Sequence, residues 1–294
     1  MARRPGRRRR LSPADLALVR RSLREDRADR DVTSRALLPG PVPSEGRVIA
    51  QAEGVVSGLA PALEVARELG LSAKALCRDG QRVRPGIVVL RLRGDARRIL
   101  AGERTILNFL MHLSGVASAT AKAVRAAGPL EVYATRKTLP GLRDLEKTAV
   151  VHGGGRPHRR DLSSSFLIKN NHLVLVPLAA AIERARARRR PGAPVEVEVR
   201  SSGQAIAAAR SGADLLLIDN ASPAKARSIV RALEASGLRR GRVVELSGGL
   251  TAENLRRYRR SGADRASLGS LTHSARALPF HLVLSRRPVP RHSR

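Results

Sequence analysis

Residues 195–220 read VEVEVRSSGQAIAAARSGADLLLIDN, and this stretch decides the fold. It opens and closes on short apolar runs, 195–199 and 215–219, each carrying an acid at or near its carboxyl end (Glu198, Asp219). Between them, 203–211 is rich in alanine and has helical spacing. Strand, helix and strand within about 25 residues make a parallel βα unit. The same alternation extends in both directions. Strand-like runs recur at 130–134, 165–169, 243–247 and 265–269, and helical stretches at 178–190, 223–235 and 251–261. Six strands alternating with helices predict a β/α barrel, with an open doubly wound sheet as the competitor. No Gly-x-Gly-x-x-Gly follows the first strand, which weakens the dinucleotide-binding form of that sheet.

Upstream of the barrel pattern, Ser12-Pro13-Ala14-Asp15 carries a capping hydroxyl, a proline at the first helical position and an acid at the third. Leu16, Val19 and Leu23 continue at helical spacing. A turn-rich loop is expected over 26–46, strands over 47–52, 55–58 and 87–92, and a helix over 61–69. A long helix is expected over 101–127, with Ile106, Phe109, Leu110, Leu113 and Val116 on its buried side. The boundaries that follow are a basic tail at 1–11, expected to be disordered, a small α/β domain at 12–118 and the barrel at 119–274.

Composition bounds the function. The chain has 294 residues and 42% hydrophobic content, enough for a real core, but only 2% aromatics and no Trp. That argues against a nucleic-acid reader that stacks bases on aromatic platforms. The single cysteine, Cys77, excludes an intrachain disulfide and a cysteine-based zinc site, and suits a reducing cytoplasm. Cys77 lies away from the motifs and is expected to be inert. The longest uncharged apolar run, 173–182, is about ten residues and contains Pro177, half of what a bilayer span needs. No signal peptide is expected, because charges return early after the basic start. The formal charge of +31 comes from 50 Arg and six Lys against 25 acids. It is read either as affinity for polyanions, whether nucleic acid or phosphorylated small molecules, or as compositional bias on a solvated surface.

Polar residues gather at the strand ends. Thr135-Arg136-Lys137 follow the first strand and Lys169 ends the second; Glu198 lies on the third and Asp219 closes the fourth. Ser247-Gly248-Gly249 and Gly269-Ser270-Leu271 follow the fifth and sixth. In a βα barrel these ends form one rim, where active sites lie. Cations, two acids and two glycine turns describe a site for an anionic ligand. The glycine turns expose backbone N–H groups suited to phosphate oxygens, or are simply tight βα turns. Glu198 and Asp219 suit Mg²⁺, a hard ion that takes one or two carboxylates plus substrate oxygens, or pair with nearby cations. His158-Arg159 follow a glycine run, 153–155, that allows close approach and a mobile loop. Arg104 lies on the long helix before the barrel. His152, His172 and His273 are expected to make structural hydrogen bonds.

At these residues the chain resembles a known family. The blocks GERTILNFLMHLSGVASAT, ATRKTLPGLRDLEKTAVVHGGGRPHR, SSSFLIKNNHL, VEVEV, LLLIDN, ELSGGL and SLGSLTHS occur in this order, with DRDVTS and AEGVVSGLA upstream. They are similar to the signature blocks of nicotinate-nucleotide pyrophosphorylase (carboxylating), or quinolinate phosphoribosyltransferase, from about residue 23 to 284. The resemblance implies an N-terminal α/β sandwich joined by the C-terminal segment 275–294, and an incomplete (β/α) barrel of TIM type carrying the site. It implies transfer of phosphoribosyl from 5-phosphoribosyl 1-diphosphate to quinolinate, giving nicotinate mononucleotide, CO₂ and diphosphate in de novo NAD synthesis, with Mg²⁺. It also implies a homodimer or larger assembly with a shared site, which would let Arg104 of one subunit reach the rim of its neighbour.

On this basis Arg104, Arg136, His158, Arg159 and Lys169 are expected to bind the two carboxylates of quinolinate. Lys137, Glu198 and Asp219 are expected to be catalytic, the acids also holding Mg²⁺ and ribose hydroxyls. Thr135 joins the substrate-binding set, and the turns at Ser247, Gly248, Gly249, Gly269, Ser270 and Leu271 take the 5-phosphate. Ala134, Pro157, Asn170 and Arg30 depart from the family pattern as Asp, Asn, Asp and Gly are usual there. The sister readings are a molybdenum-operon phosphoribosyltransferase-like protein and a nicotinate-preferring transferase. Glu103-Arg104-Thr105 and Lys169 fit the quinolinate enzyme better than the first, and one carboxylate would not need so many cations. A basic nucleic-acid-binding protein is the reading from a different class.

Overall fold

A computed structural model describes residues 11–286; all but the last residue of the expected basic tail lie outside the described residues. The chain divides into two compact units. One takes in the chain up to Ser118, the segment Pro140–Gly153 and the chain from Ala275 on; the other takes in Ala119–Leu139 and Gly154–Ser274.

In the first unit, the helix Pro13–Glu25 starts where the sequence predicts. Ser12 Oγ accepts the Asp15 N–H at 3.1 Å and the Asp15 carboxylate accepts the Ser12 N–H at 3.0 Å. The expected loop over 26–46 is corrected at one point. The Asp31 carboxylate accepts the Thr33 and Ser34 N–H groups and starts a helix, Val32–Leu37, inside it. Strands β1 (Pro43–Ala50), β2 (Gly54–Val55), β3 (Ser72–Ala75), β4 (Arg82–Val83) and β5 (Val88–Asp95) follow, with the helix Leu59–Glu68 between β2 and β3. The last described strand, Phe280–Arg286, pairs antiparallel with β1, whose other neighbour is β5, and β3 closes this four-stranded sheet. The long helix runs Ala96–Ala127, beginning five residues earlier than its apolar spacing predicts because Ala96 and Ile99 are also buried. A helix the sequence did not signal, Arg143–His152, belongs to this unit. Its Glu146 is fully buried with Oε1 2.8 Å from His112 Nε2, and His152 Nδ1 lies 2.8 Å from Ser57 Oγ.

The second unit holds six parallel strands: β6 (Glu131–Tyr133), β7 (Phe166–Ile168), β8 (Val195–Val199), β9 (Leu215–Asp219), β10 (Val243–Ser247) and β11 (Arg265–Ser267). Their order is β6-β11-β10-β9-β8-β7. Strands β7 to β11 are thus neighbours in chain order, and the first strand pairs with the last. That is the order of a barrel left open between β6 and β7; a doubly wound sheet would reverse direction part-way. Strands buried on both faces read as continuous apolar runs, and Leu215–Ile218 shows this. The register pairs Glu198 with Leu217, Leu217 with Glu245 and Glu245 with Arg265, so these charged side chains share one face.

The connecting helices Leu178–Arg188, Ser202–Arg210 and Pro223–Ala235 match the sequence pattern. The helix expected over 251–261 is corrected to a single 3₁₀ turn, Leu255–Tyr258. Asn254 explains it: its side chain accepts the Thr251 N–H at 2.9 Å and donates to Gly249 O at 2.8 Å, competing with helix hydrogen bonds. Among the described residues no helix is long and apolar enough to cross a membrane.

Candidate active site

The sequence LLLIDN ends β9 on a tight turn. Asn220 adopts φ +51°, a left-handed conformation asparagine tolerates, and its N–H bonds Ser247 O at 2.9 Å. This brings Asp219 beside the Ser247–Gly249 turn, in register with Ser247. Gly248 has φ +85°, and a Cβ there would stand 2.7 Å from Asn220 N. Glycine is therefore required on both counts. The second glycine turn is tied to the first, because Ser270 Oγ donates to Leu250 O at 3.1 Å. Gly269 heads a helix of four residues, Ser270–His273, so phosphate there would rely on local N–H groups more than on a helix dipole.

Lys137 lies over the second turn. A Cβ on Gly269 would come within 2.8 Å of Lys137 Cδ, and Thr272 Oγ1 donates to Lys137 O at 2.6 Å. Thr135 Oγ1 accepts the Lys137 N–H at 3.0 Å, which bends the chain after β6. Arg136 is half-buried, with a buried Nε that has no hydrogen-bond partner. Burial and the positive charge of Arg136 lower the pKa of Arg159, while Glu196 and Asp161 act the other way. Arg136, with a buried donor to spare, and Arg159 are chemically suited to receive an anion.

The acids form the third group. Burial raises the Glu198 pKa, and the charge of Asp219 raises it further; Lys169, Arg200 and Asn170 act the other way. Mutual repulsion of two carboxylates is what a divalent cation would relieve, so the pair fits Mg²⁺. Arg200, which the sequence reading passed over, places Nη2 3.3 Å from Asp219 Oδ2 and 3.8 Å from Glu198 Oε1. Asn170 Nδ2 donates to Glu198 Oε1. Lys169 N donates to His172 Nδ1 at 2.9 Å, and His273 Nδ1 lies 2.6 Å from Ser274 Oγ. His152, His172 and His273 thus make the structural bonds expected of them. Arg104 is exposed on the long helix and belongs to the other unit. Cys77, partly buried, has its thiol pushed up to about 11, which keeps it protonated and unreactive.

His158 faces a cluster that sequence reasoning missed. Its Nε2 stands 3.3 Å from Glu196 Oε2 and 3.4 Å from Glu245 Oε2, both carboxylates buried. Arg265 Nε donates to Glu245, and its Nη2 is 3.7 Å from Glu196 Oε1. Burial would lower the pKa of the imidazole, but the two carboxylates raise it to about 9. Nδ1 accepts the Arg159 N–H at 2.8 Å, which fixes the orientation of the ring. The signal was present in the sequence: acids in VEVEV and VVELS and an arginine in RAS interrupt otherwise buried strands. The ligand atoms of His158, Glu196 and Glu245 lie within 4.8 Å of one another, near enough to hold a metal ion. Arg265 lies against both acids, so a buried cation already faces them.

Two glycine turns, two guanidinium groups and an acidic pair at the strand ends of a barrel have the chemistry of an enzyme site for a phosphorylated and carboxylated substrate. Comparison with known proteins makes this specific. Residues 116–283 match the family model "Quinolinate phosphoribosyl transferase, C-terminal domain" and residues 31–114 match the N-terminal domain of the same family. The chain belongs to the quinolinate phosphoribosyltransferase family. It is 41% identical to the probable nicotinate-nucleotide pyrophosphorylase [carboxylating] of Archaeoglobus fulgidus over 81% of this chain and 93% of that one. It is 37% identical to the nicotinate-nucleotide pyrophosphorylase [carboxylating] of Rattus norvegicus, over 93% and 92% respectively. The crystal structure of NadC from Streptococcus pyogenes matches with a TM-score of 0.87 at 35% identity, covering 95% of this chain and all of that one. The incomplete barrel and the antiparallel-sheet unit are thus those of this family.

Proposed function

We propose that the barrel rim binds 5-phosphoribosyl 1-diphosphate and quinolinate and joins them to give nicotinate mononucleotide, diphosphate and CO₂, a step of de novo NAD biosynthesis. The observation that carries the reading is the buried Nε of Arg136, which has no hydrogen-bond partner, at strand ends that also carry two glycine turns and an acidic pair. Quinolinate is a dianion, and guanidinium forks bind carboxylates in bidentate fashion. Arg136, Arg159 and Lys169 take its carboxylates, and Arg104 adds a further cation from a neighbouring subunit of a homodimer or larger assembly. His158 supports this pocket. Thr135 shapes the turn that presents Arg136 and Lys137.

The N–H groups of Ser247–Gly249 and Gly269–Leu271 receive the 5-phosphate. The C1–oxygen bond of the ribose breaks with its electron pair leaving on diphosphate, and the quinolinate ring nitrogen forms the new bond to C1. Positive charge develops at C1 in between, and the carboxylates of Glu198 and Asp219 stabilise it and orient the ribose hydroxyls. Lys137, over the second turn, attracts the departing diphosphate. These two acids would hold Mg²⁺, which when bound neutralises diphosphate charge. The bond from C2 to its carboxyl then breaks and CO₂ departs; the electron pair stays on C2, stabilised by the positive charge of the adjacent quaternary ring nitrogen, until C2 takes a proton from solvent. No protein nucleophile is needed for either half. The single cysteine supports a cytoplasmic location.

The test is product analysis by mass spectrometry with 5-phosphoribosyl 1-diphosphate and Mg²⁺, supplying quinolinate or nicotinate in parallel. Nicotinate mononucleotide from quinolinate alone, abolished in a Glu198→Ala, Asp219→Ala variant, is the expected result. Product from nicotinate alone would move the specificity to the nicotinate-preferring reading.

A further inference from the structure

Under the rim lies the buried cluster of His158, Glu196, Glu245 and Arg265, whose two acids and arginine the reaction as described does not use. Arg265 is on β11, far in sequence from the loop that carries Arg159. It is nonetheless joined to that loop by a chain of contacts. Its Nε donates to Glu245, its Nη2 lies 3.7 Å from Glu196, and both acids face His158 Nε2 at 3.3 and 3.4 Å. Its guanidinium also stacks 4.6 Å from the centre of the Tyr133 ring, which meets the His158 ring edge-on at 6.1 Å.

The loop itself is pinned on both sides of His158. Arg156 bridges to Tyr133 on the open edge of β6, its N–H bonding Val132 O at 2.8 Å. Arg159 Nη1 donates to Ser165 O at 3.3 Å. Between these points His158 is the side chain that reaches into the core, where its Nε2 faces the two acids and its Nδ1 accepts the Arg159 N–H at 2.8 Å. A bidentate contact between guanidinium and carboxylate fails with a small rotation of either plane, so the backbone at Arg159 must be fixed from below.

We propose that Arg265, Glu245 and Glu196 are positioning residues for the acidic substrate: they hold His158, and through it they aim the Arg159 guanidinium. This rests on the reading of Arg159 as a substrate-carboxylate contact. Arg265 touches no substrate in this scheme, and its influence passes through the acids and the imidazole.

The experiment measures KM for each substrate and kcat in the full-length enzyme, Arg265→Met, Arg265→Lys, Arg159→Lys and the Arg159→Lys, Arg265→Met double variant. Arg265→Met is expected to raise KM for quinolinate on the order of tenfold while KM for 5-phosphoribosyl 1-diphosphate stays within about twofold. Arg265→Lys should recover part of the loss. In the Arg159→Lys background, Arg265→Met should add little, because both changes act on one contact. A general loss of structure would raise both KM values together, and that result, or penalties that simply multiply in the double variant, would overturn the proposal. Glu245→Gln keeps the volume and is read in the same way if Arg265→Met does not fold. Unchanged quinolinate kinetics in a folded Arg265→Met or Glu245→Gln enzyme would sink this proposal alone. Absence of quinolinate turnover in the unaltered enzyme would instead bring down the reading on which it rests.

Discussion

Asn170 Nδ2 donates a hydrogen bond to Glu198 Oε1, so the residue directly after Lys169 steadies one of the two acids of the site. An aspartate, the family's usual residue there by resemblance, would accept instead of donate. The Asn170 amide favours the ionised form of Glu198, against the raising effects of burial and of Asp219. Asn170→Ala removes that help. The acidic limb of the rate profile should then move to higher pH, by a fraction of a unit up to about one unit, because one hydrogen bond to a charged group is lost. Initial rates between pH 5 and 8, taken in both enzymes at fixed Mg²⁺, check this.

Removing either acid separates activity from stability. Glu198→Gln should lower kcat by roughly a hundredfold or more, as expected for loss of a charge that stabilises a developing cation. Yet a carboxyl whose pKa is raised on folding is less comfortable ionised in the folded state than in the unfolded one. Glu198→Gln should therefore leave Tm unchanged or raise it slightly. A drop in Tm alongside the loss of rate would assign Glu198 a structural role.

Gly248→Ala places a methyl group against Asn220 N at a φ of +85°. The strain falls on the Ser247–Gly249 turn, which lies beside the end of β9 that carries Asp219. KM for 5-phosphoribosyl 1-diphosphate should rise by about tenfold or more, with stability lowered by roughly 1–2 kcal/mol for the disfavoured backbone. Kinetics with each substrate varied, and chemical denaturation, give the two numbers.

The His158 cluster makes a pH prediction with a definite sign. Its folded pKa of about 9 lies above the ordinary 6.5. The folded state therefore holds the proton more tightly, and the stability this contributes is fully present below about pH 6.5 and lost as the pH rises through 9. His158→Asn should cost on the order of 2–3 kcal/mol at pH 6 and less at pH 10, where the unaltered ring is also neutral. Urea denaturation at the two pH values measures the difference. A penalty equal at both would mean that the carboxylates do not hold the imidazolium.

Much of this was legible in the sequence, and the exceptions share a cause. The strands Val195–Val199, Leu215–Asp219 and Val243–Ser247 and the helix Pro223–Ala235 fall where periodicity put them, because each is long, apolar and bounded by turn residues. The helix Arg143–His152 escaped notice because its buried side carries Glu146 and Lys147, which read as surface residues until their partners are known. Arg265 and Glu245 escaped for the same reason. A charge in a buried strand is neutralised by a residue distant in sequence, and no local pattern announces the pair. The acid pair, the glycine turns and Lys137 were readable because the ends of parallel strands gather at one rim whatever lies between them.

The most direct test of the central claim uses quinolinate labelled with ¹³C in its 2-carboxyl group. The enzyme, 5-phosphoribosyl 1-diphosphate and Mg²⁺ should release one labelled CO₂ for each nicotinate mononucleotide formed, and none when 5-phosphoribosyl 1-diphosphate is withheld. Labelled CO₂ without the sugar donor, or nicotinate mononucleotide made without loss of the label, would contradict the account.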